Sequence, residues 1–303
     1  MTAETQNEPD NSTEHTGTPI RRRTLYALAA AGAVLAIGAA ALIIALGRDT
    51  GPVIASAGIV QGDVRIRPAG SDNWRQLGSN AAPLIAGTSL RATSSGRIAL
   101  DLPAQASLRL DASTQVTLTA EREIELASGT IYMDSGAAAA TAPITISTEF
   151  GAIQAIGAQV AVAVGEEALY VSVRSGDVEL VQDAQAIPVA ASAGEGLQVL
   201  AGDSPRRMRI RTYGSDWTWV ETLSSAPNVQ GEPLTSFLGW VTRETGRPLR
   251  FDDSTTEARA ATVTLDVDVE GLDAMRALEI VLSTTQLEHS TGYDGTIVIG
   301  PRS

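Results

Sequence analysis

The chain has 303 residues, enough for about two domains. It contains no cysteine, all 22 basic residues are arginine, and the only histidines are His15 and His289. Disulfides, thiolate nucleophiles, cysteine-held metal centres, Schiff-base lysines and a Walker lysine are therefore excluded, and a Ser-His-Asp triad has almost no material. The composition argues against an enzyme, and neither a cofactor nor a catalytic residue is expected.

Acids and arginines balance within residues 1–48, so the whole net charge of −13 lies in residues 49–303. A surface this acidic repels phosphates, so nucleic acid is not an expected partner. From Leu25 to Leu46 the sequence LYALAAAGAVLAIGAAALIIAL carries no charge. As a helix it would span roughly 33 Å, enough for the hydrocarbon core of a bilayer. Arg21, Arg22 and Arg23 precede this run, while Arg48 is offset by Asp49. The positive-inside rule then places the amino terminus in the cytoplasm and residues 49–303 outside, on a single-pass inner-membrane anchor. The rival is a cleaved signal peptide, for which Ala55-Ser56-Ala57 has the small-residue spacing. Against it stand the length of the apolar run and the polar leader, which reads as a disordered tail over 1–24.

Beyond the anchor the pattern becomes short alternating runs punctuated by glycine. Residues 97–102, 107–110, 115–119, 144–148, 159–164 and 169–174 alternate polar with apolar. Period two with turn signals between predicts an all-β domain, sandwich or barrel, over 53–203. Residues 136–143, bounded by Gly136 and Pro143, read as a loop. Residues 124–132 and 170–180 each read as strand, Ser-Gly, strand, and the glycine suits a hairpin or a corner. The order IELASGTIYMD, PITIST, GAIQAIG, YVSVRSGDVELV resembles the periplasmic domain of the FecR family over roughly residues 90–200. In place of that family's Gly-Thr-x-Phe element stands Gly157-Ala158-Gln159-Val160.

After a linker at 204–227, residues 228–303 predict a small α+β module of βαββαβ type. Leu234, Phe237, Leu238 and Val241 fall on one helix face, with Pro233 at its start and Gly246 at its end. Leu249 and Phe251 read as a short strand. Val263, Leu265, Val267 and Val269 alternate with Thr264, Asp266, Asp268 and Glu270, which predicts a regular strand. Asp273 can cap a helix carrying Leu278, Val281 and Leu282, and Asp294-Gly295 a hairpin turn. With the phrases PLTSFLGWVTRETGRPLRFD and GTIVIG, this order resembles the secretin and TonB short amino-terminal module.

The two resemblances together imply a periplasmic regulator. It would relay contact with an outer-membrane TonB-dependent transducer to an extracytoplasmic-function sigma factor, typically for iron uptake. Only 20 residues precede the arginines, where sigma-binding members carry a helical domain, so direct sigma-factor contact stays open. The alternative is an envelope scaffold docking on a secretin-like assembly. Asp266, Asp268 and Glu270 are the candidate partner-binding residues. As alternating acids on the wet face of a strand they do not form a calcium loop, and no metal site is expected. His289 reads as polar surface, and Tyr213, Trp217 and Trp219 as packing of the linker. Arg206, Arg207, Arg209 and Arg211 read either as an internal salt-bridge strip or as a contact for an acidic partner.

Overall fold

The computed structural model describes residues 51–78, 82–136, 142–182, 187–224 and 226–302. The uncharged run, the polar leader, His15 and most of the 136–143 loop lie outside the described residues, within which no helix is long and apolar enough to cross a membrane. From its first described residue the chain is almost all strand. It forms β1 (Val53–Gln61), β2 (Val64–Arg67), β3 (Arg75–Gln76), β4 (Pro83–Ile85), β5 (Thr88–Ala92), β6 (Arg97–Asp101), β7 (Ser107–Leu110) and β8 (Thr114–Ala120). There follow β9 (Glu123–Asp134), β10 (Ile144–Thr148), β11 (Gly151–Val164), β12 (Ala168–Val181), β13 (Val189–Ser192), β14 (Glu195–Leu200) and β15 (Arg206–Arg209). The six expected alternations fall on strands, except that Leu102 lies just past β6.

These 15 strands form one sheet whose main path runs β15-β14-β12-β11-β10-β9-β7-β6-β1-β4. The path ends open at β15 and β4, so the barrel option falls. Closure is replaced by bending. Along β9, residues 123–128 pair with β8, and 123–125 also with β10; residues 129–134 pair with β11, and 131–134 also with β7. The bend sits at Gly129, where φ is +90° and a Cβ would lie 2.5 Å from Thr114. No other residue fits that corner without strain. β12 bends likewise at Gly176, pairing β14 before it and β13 after it. Both Ser-Gly positions are therefore corners within long strands rather than hairpin turns. The folded sheet encloses one core of Val, Ile, Leu and Ala, including Leu100, Leu108, Ile131, Val160, Val171 and Leu197.

Residues 204–227 include β15, which extends the sheet beyond β14, and a short helix α1 (Thr218–Glu221). Trp217 and Val220 are buried against Tyr132. Beyond them come α2 (Leu234–Thr245), β16 (Leu249–Phe251), α3 (Ser254–Ala260), α4 (Ala274–Ser283), β17 (Leu287–Thr291) and β18 (Ile297–Pro301). The three strands order as β16-β18-β17, with β16 parallel to β18. Their second core gathers Phe237, Leu238, Val241, Leu278, Val281, Ile297 and Ile299. As expected, Gly246 ends α2 in the left-handed region and Asp273 caps α4 by accepting from the Arg276 N–H.

Two expectations for this module are corrected. Residues 263–269 form no regular strand: Thr264 makes an isolated bridge with Pro233. Gly231 N–H donates to the Leu265 carbonyl and Leu265 N–H to the Glu232 carbonyl. In this register residues 266–269 would run along 227–230, but a groove separates the two segments there, so the ladder ends at Leu265. Leu265 and Val269 stay buried, so the alternation reported burial rather than pairing. The βαββαβ order is thereby reduced, and helix α3 appears where none was expected. Its signal is the capping Asp253, which accepts from the Thr256 N–H.

Leu278 is fully buried at the centre of the second core. Leu278→Ala should lower stability by about 2–5 kcal/mol. Chemical denaturation measures it, and a loss within about 0.5 kcal/mol would mean that the helix face is not buried.

Candidate functional site: a buried ionic seam between two cores

On β7, β9, β11 and β12 the apolar phase faces the first core. The other phase carries Arg109, Tyr132, Asp134, Gln159 and Arg174, and such residues normally face water. Here all five are buried, because the last turn of α2 and the segment around α1 cover them.

Arg109 and Glu244 form a fork. Nη1 donates to Oε2 at 2.8 Å and Nη2 to Oε1 at 2.9 Å, and Nη1 also reaches the Val220 carbonyl at 2.9 Å. Arg174 donates from Nε to the Thr212 carbonyl at 2.7 Å and from Nη1 to the Glu244 carbonyl at 2.9 Å. Its Nη2 lies 3.5 Å from Glu221 Oε1, and its guanidinium stacks 4.7 Å over the Trp217 ring. Asp134 takes Arg243 from the other side, Nε donating to Oδ2 at 2.6 Å with a second contact from Nη2 to Oδ1. Gln159 Nε2 bridges Asp134 Oδ2 and the Arg243 carbonyl, each at 3.0 Å.

The geometry uses the end of a helix. The last carbonyls of α2 have no partner within the helix and carry the negative end of its dipole. Arg174 takes the Glu244 carbonyl, Gln159 that of Arg243, and Thr212 Oγ1 donates to the Gly246 carbonyl at 3.0 Å. Gly246 must be glycine twice over. Its φ is +62°, and a Cβ would lie 2.0 Å from the Thr212 carbonyl oxygen and 2.2 Å from Arg174 Nε.

Burial opposes the charge on Arg109, yet Glu244 outweighs it and raises the guanidinium above its ordinary value. Burial likewise pushes the Tyr132 hydroxyl up, so the ring serves as packing, edge-on to Trp217 at 6.0 Å. Burial raises the Glu221 carboxyl, and Arg174 partly reverses that rise. Arg109 Nε and Arg174 Nη2 are buried without a hydrogen bond. The chemistry available is attachment and release, since nothing in the seam is placed as a nucleophile or general base.

None of the residues singled out from sequence as partner-binding lies in the seam. Asp266, Asp268 and Glu270 are exposed together, on the rim of a groove of about 440 Å³ between residues 226–230 and 266–270. Asp266 accepts from Gln230 Nε2 at 3.0 Å and Asp268 from the Glu270 N–H at 2.9 Å. His289 is half-buried on β17, opposite Ile299. Trp217 is buried in the seam, and the Tyr213 hydroxyl donates to the Asp294 carbonyl. Arg206 and Arg207 pair with Asp203 and Glu195 on the exposed β15. The seam residues escaped the sequence reading because a charge on the polar phase of a strand looks like a wet face. The one available signal was Tyr132, an aromatic on that phase in a chain with 4% aromatics.

Residues 88–179 match the model of the FecR protein family. That span runs from β5 into β12 and contains Arg109, Tyr132, Asp134, Gln159 and Arg174. The match covers less than a third of the chain, a span called the FecR segment below, and that family is regulatory rather than enzymatic. No curated protein matches the chain. Among solved structures, two of a candidate anti-sigma factor from Parabacteroides distasonis ATCC 8503 each cover 71% of this chain and 99% of their own. They are 16% and 14% identical to it, with TM-scores of 0.38 and 0.36, a likeness too loose to build on.

A double-mutant cycle tests the fork. Glu244→Leu or Arg109→Leu alone leaves a buried charge unpaired and should cost about 3–5 kcal/mol. The double variant should recover most of that loss. Single losses below about 1 kcal/mol, the level of an exposed pair, would show that the seam is open to water.

Proposed function

We propose that this chain is an inner-membrane-anchored regulator that relays contact with an outer-membrane TonB-dependent transducer to an extracytoplasmic-function sigma factor. The FecR match supports the coarser part of this reading, a role in sigma-factor regulation. One observation carries the rest: every sheet residue of the ionic seam lies inside the FecR segment, and its counterpart is the end of the module's first helix. Force or binding at the carboxyl-terminal module thus has a direct electrostatic path into the FecR segment.

The module's outward feature is the exposed acid row Asp266, Asp268 and Glu270. Beyond Leu265 the segment makes only local backbone hydrogen bonds and leaves most of its N–H and C=O groups without a ladder. An extended segment of a partner can complete such an edge. The acids would steer a basic partner toward it. In this reading the partner is the short amino-terminal module of the transducer. The anchor at 25–46 holds the regulator in the inner membrane, with its bulk in the periplasm. The tail at 1–24 is the part that faces a sigma factor.

The test titrates the full chain with transducer amino-terminal modules from the same genome. Replacing Asp266, Asp268 and Glu270 with Ser should slow association about tenfold at low salt and flatten its salt dependence. The seam variant Glu244→Gln should still bind but lose transducer-dependent transcription from the sigma factor's promoter. If no transducer module binds at millimolar concentration, the relay has no input and the reading fails.

A further inference from the structure

We propose that the face of β2, β3, β5 and β8 turned away from the first core binds anionic phospholipid headgroups of the membrane; this rests on reading residues 25–46 as an anchor. Val64 and Ile66 of β2 are buried, which turns Arg65 and Arg67 to the other face. Arg65 stands opposite Gln76 of β3 and Arg91 of β5, and Arg67 stands opposite Ser89. Trp74, two residues before Gln76, has two guanidinium groups over its ring. Arg91 is 4.4 Å and Arg67 5.2 Å from its ring.

What holds these arginines is neutral. Arg91 donates from Nε and Nη2 to Gln115 Oε1 at 2.9 and 2.7 Å. Arg67 Nη2 donates to Ser89 Oγ at 3.0 Å, which shares a hydrogen bond with Thr117. Only Arg65 has a carboxylate, Asp63 at 3.4 Å, and that pair is exposed. Among the described residues neither Arg67 nor Arg91 forms an ion pair, in a chain of net charge −13. Arg65 and Arg91 also face each other across the ladder, an arrangement that destabilises a sheet. Guanidinium groups fixed by stacking and neutral hydrogen bonds, with charge left over, are set up for an external anion. Their planar fork suits a phosphate.

The source of the phosphate follows from how few residues separate this face from the uncharged run. β1 pairs with β4 through Val53 and Ile85, and Gly51 packs on Ile85. Gly87, two residues on, packs on Ala69. Arg67 and Ser89 are each two residues from that contact. The uncharged run ends at Leu46, five residues before Gly51, a tether of at most about 18 Å. A tether that short keeps Gly51, and with it the Arg67 end of the face, within reach of a headgroup layer. Tryptophan and arginine are the side chains that suit a headgroup layer.

Native mass spectrometry of the full chain released from dodecylmaltoside micelles is the test. Phosphatidylglycerol, phosphatidylcholine and inorganic phosphate serve as separate probes. The parent chain should bind phosphatidylglycerol at least tenfold more tightly than phosphatidylcholine. Arg67→Gln/Arg91→Gln should bind the two lipids alike. The exposed substitution Gln76→Glu, which sets a carboxylate opposite Arg65, should reduce the preference without touching the stack. Equal binding of both lipids by the parent overturns the proposal, as does a preference that survives both variants. Full displacement of the lipid by millimolar inorganic phosphate would make the ligand free phosphate and overturn it too. The anchor reading fails separately, if the mature amino terminus lies at Gly58; headgroup preference could still be measured on that cleaved chain.

Discussion

The Arg109–Glu244 fork, with Arg174 and Asp134 beside it, is the interaction on which the rest of the molecule depends. Each of the two apolar cores is complete among its own residues. Between them lies only a small cluster around Tyr132, Trp217 and Val220. The bodies are therefore joined mainly by charge, and the character of that joint follows from desolvation. Moving two ions out of water costs several kcal/mol each, which their attraction offsets only with good geometry. Such a pair adds little net stability. What it fixes is register, because a shift of a single turn along α2 would leave Glu244 or Arg109 buried without a partner.

This constraint explains features that would otherwise look unrelated. The bend at Gly129 sends the second half of β9 along β7 and β11, which sets Tyr132 and Asp134 beside Arg109 and Gln159. The left-handed turn at Gly246 closes α2 so that its last carbonyls meet Arg174, Gln159 and Thr212. The two buried guanidinium nitrogens without hydrogen bonds mark a seam that holds without being optimised. A mainly polar joint between complete cores can part while exposing little apolar surface beyond the small Tyr132, Trp217 and Val220 cluster, as transient interfaces do. That property suits a regulator, where the coupled and uncoupled states must both be soluble.

Much of the β architecture was legible in the sequence, because Val, Ile and Leu at period two report burial on one face. The helices 234–245 and 274–283 were equally legible, since Pro233, Gly246 and Asp273 mark their ends. The pattern failed where burial and pairing part company. Val263 to Val269 alternate as a strand does, yet beyond Leu265 a groove separates them from residues 226–230. Arg109, Asp134 and Arg174 failed for the opposite reason. They occupy the polar phase, and sequence alone does not reveal that a second body covers it. The candidate acids Asp266, Asp268 and Glu270 were visible because they remain in water, whereas the seam was invisible because it does not.

The charged seam holds the carboxyl-terminal module on the FecR segment as one body. The absence of cysteine makes pulsed electron–electron resonance on the full chain straightforward, with spin labels at Glu179→Cys on β12 and Ser290→Cys on β17. A seam that holds gives one narrow distance distribution at low salt, which broadens when Arg109→Gln and Arg174→Gln remove the guanidinium groups. A broad distribution in the parent, or a narrow one that survives both substitutions, would contradict it.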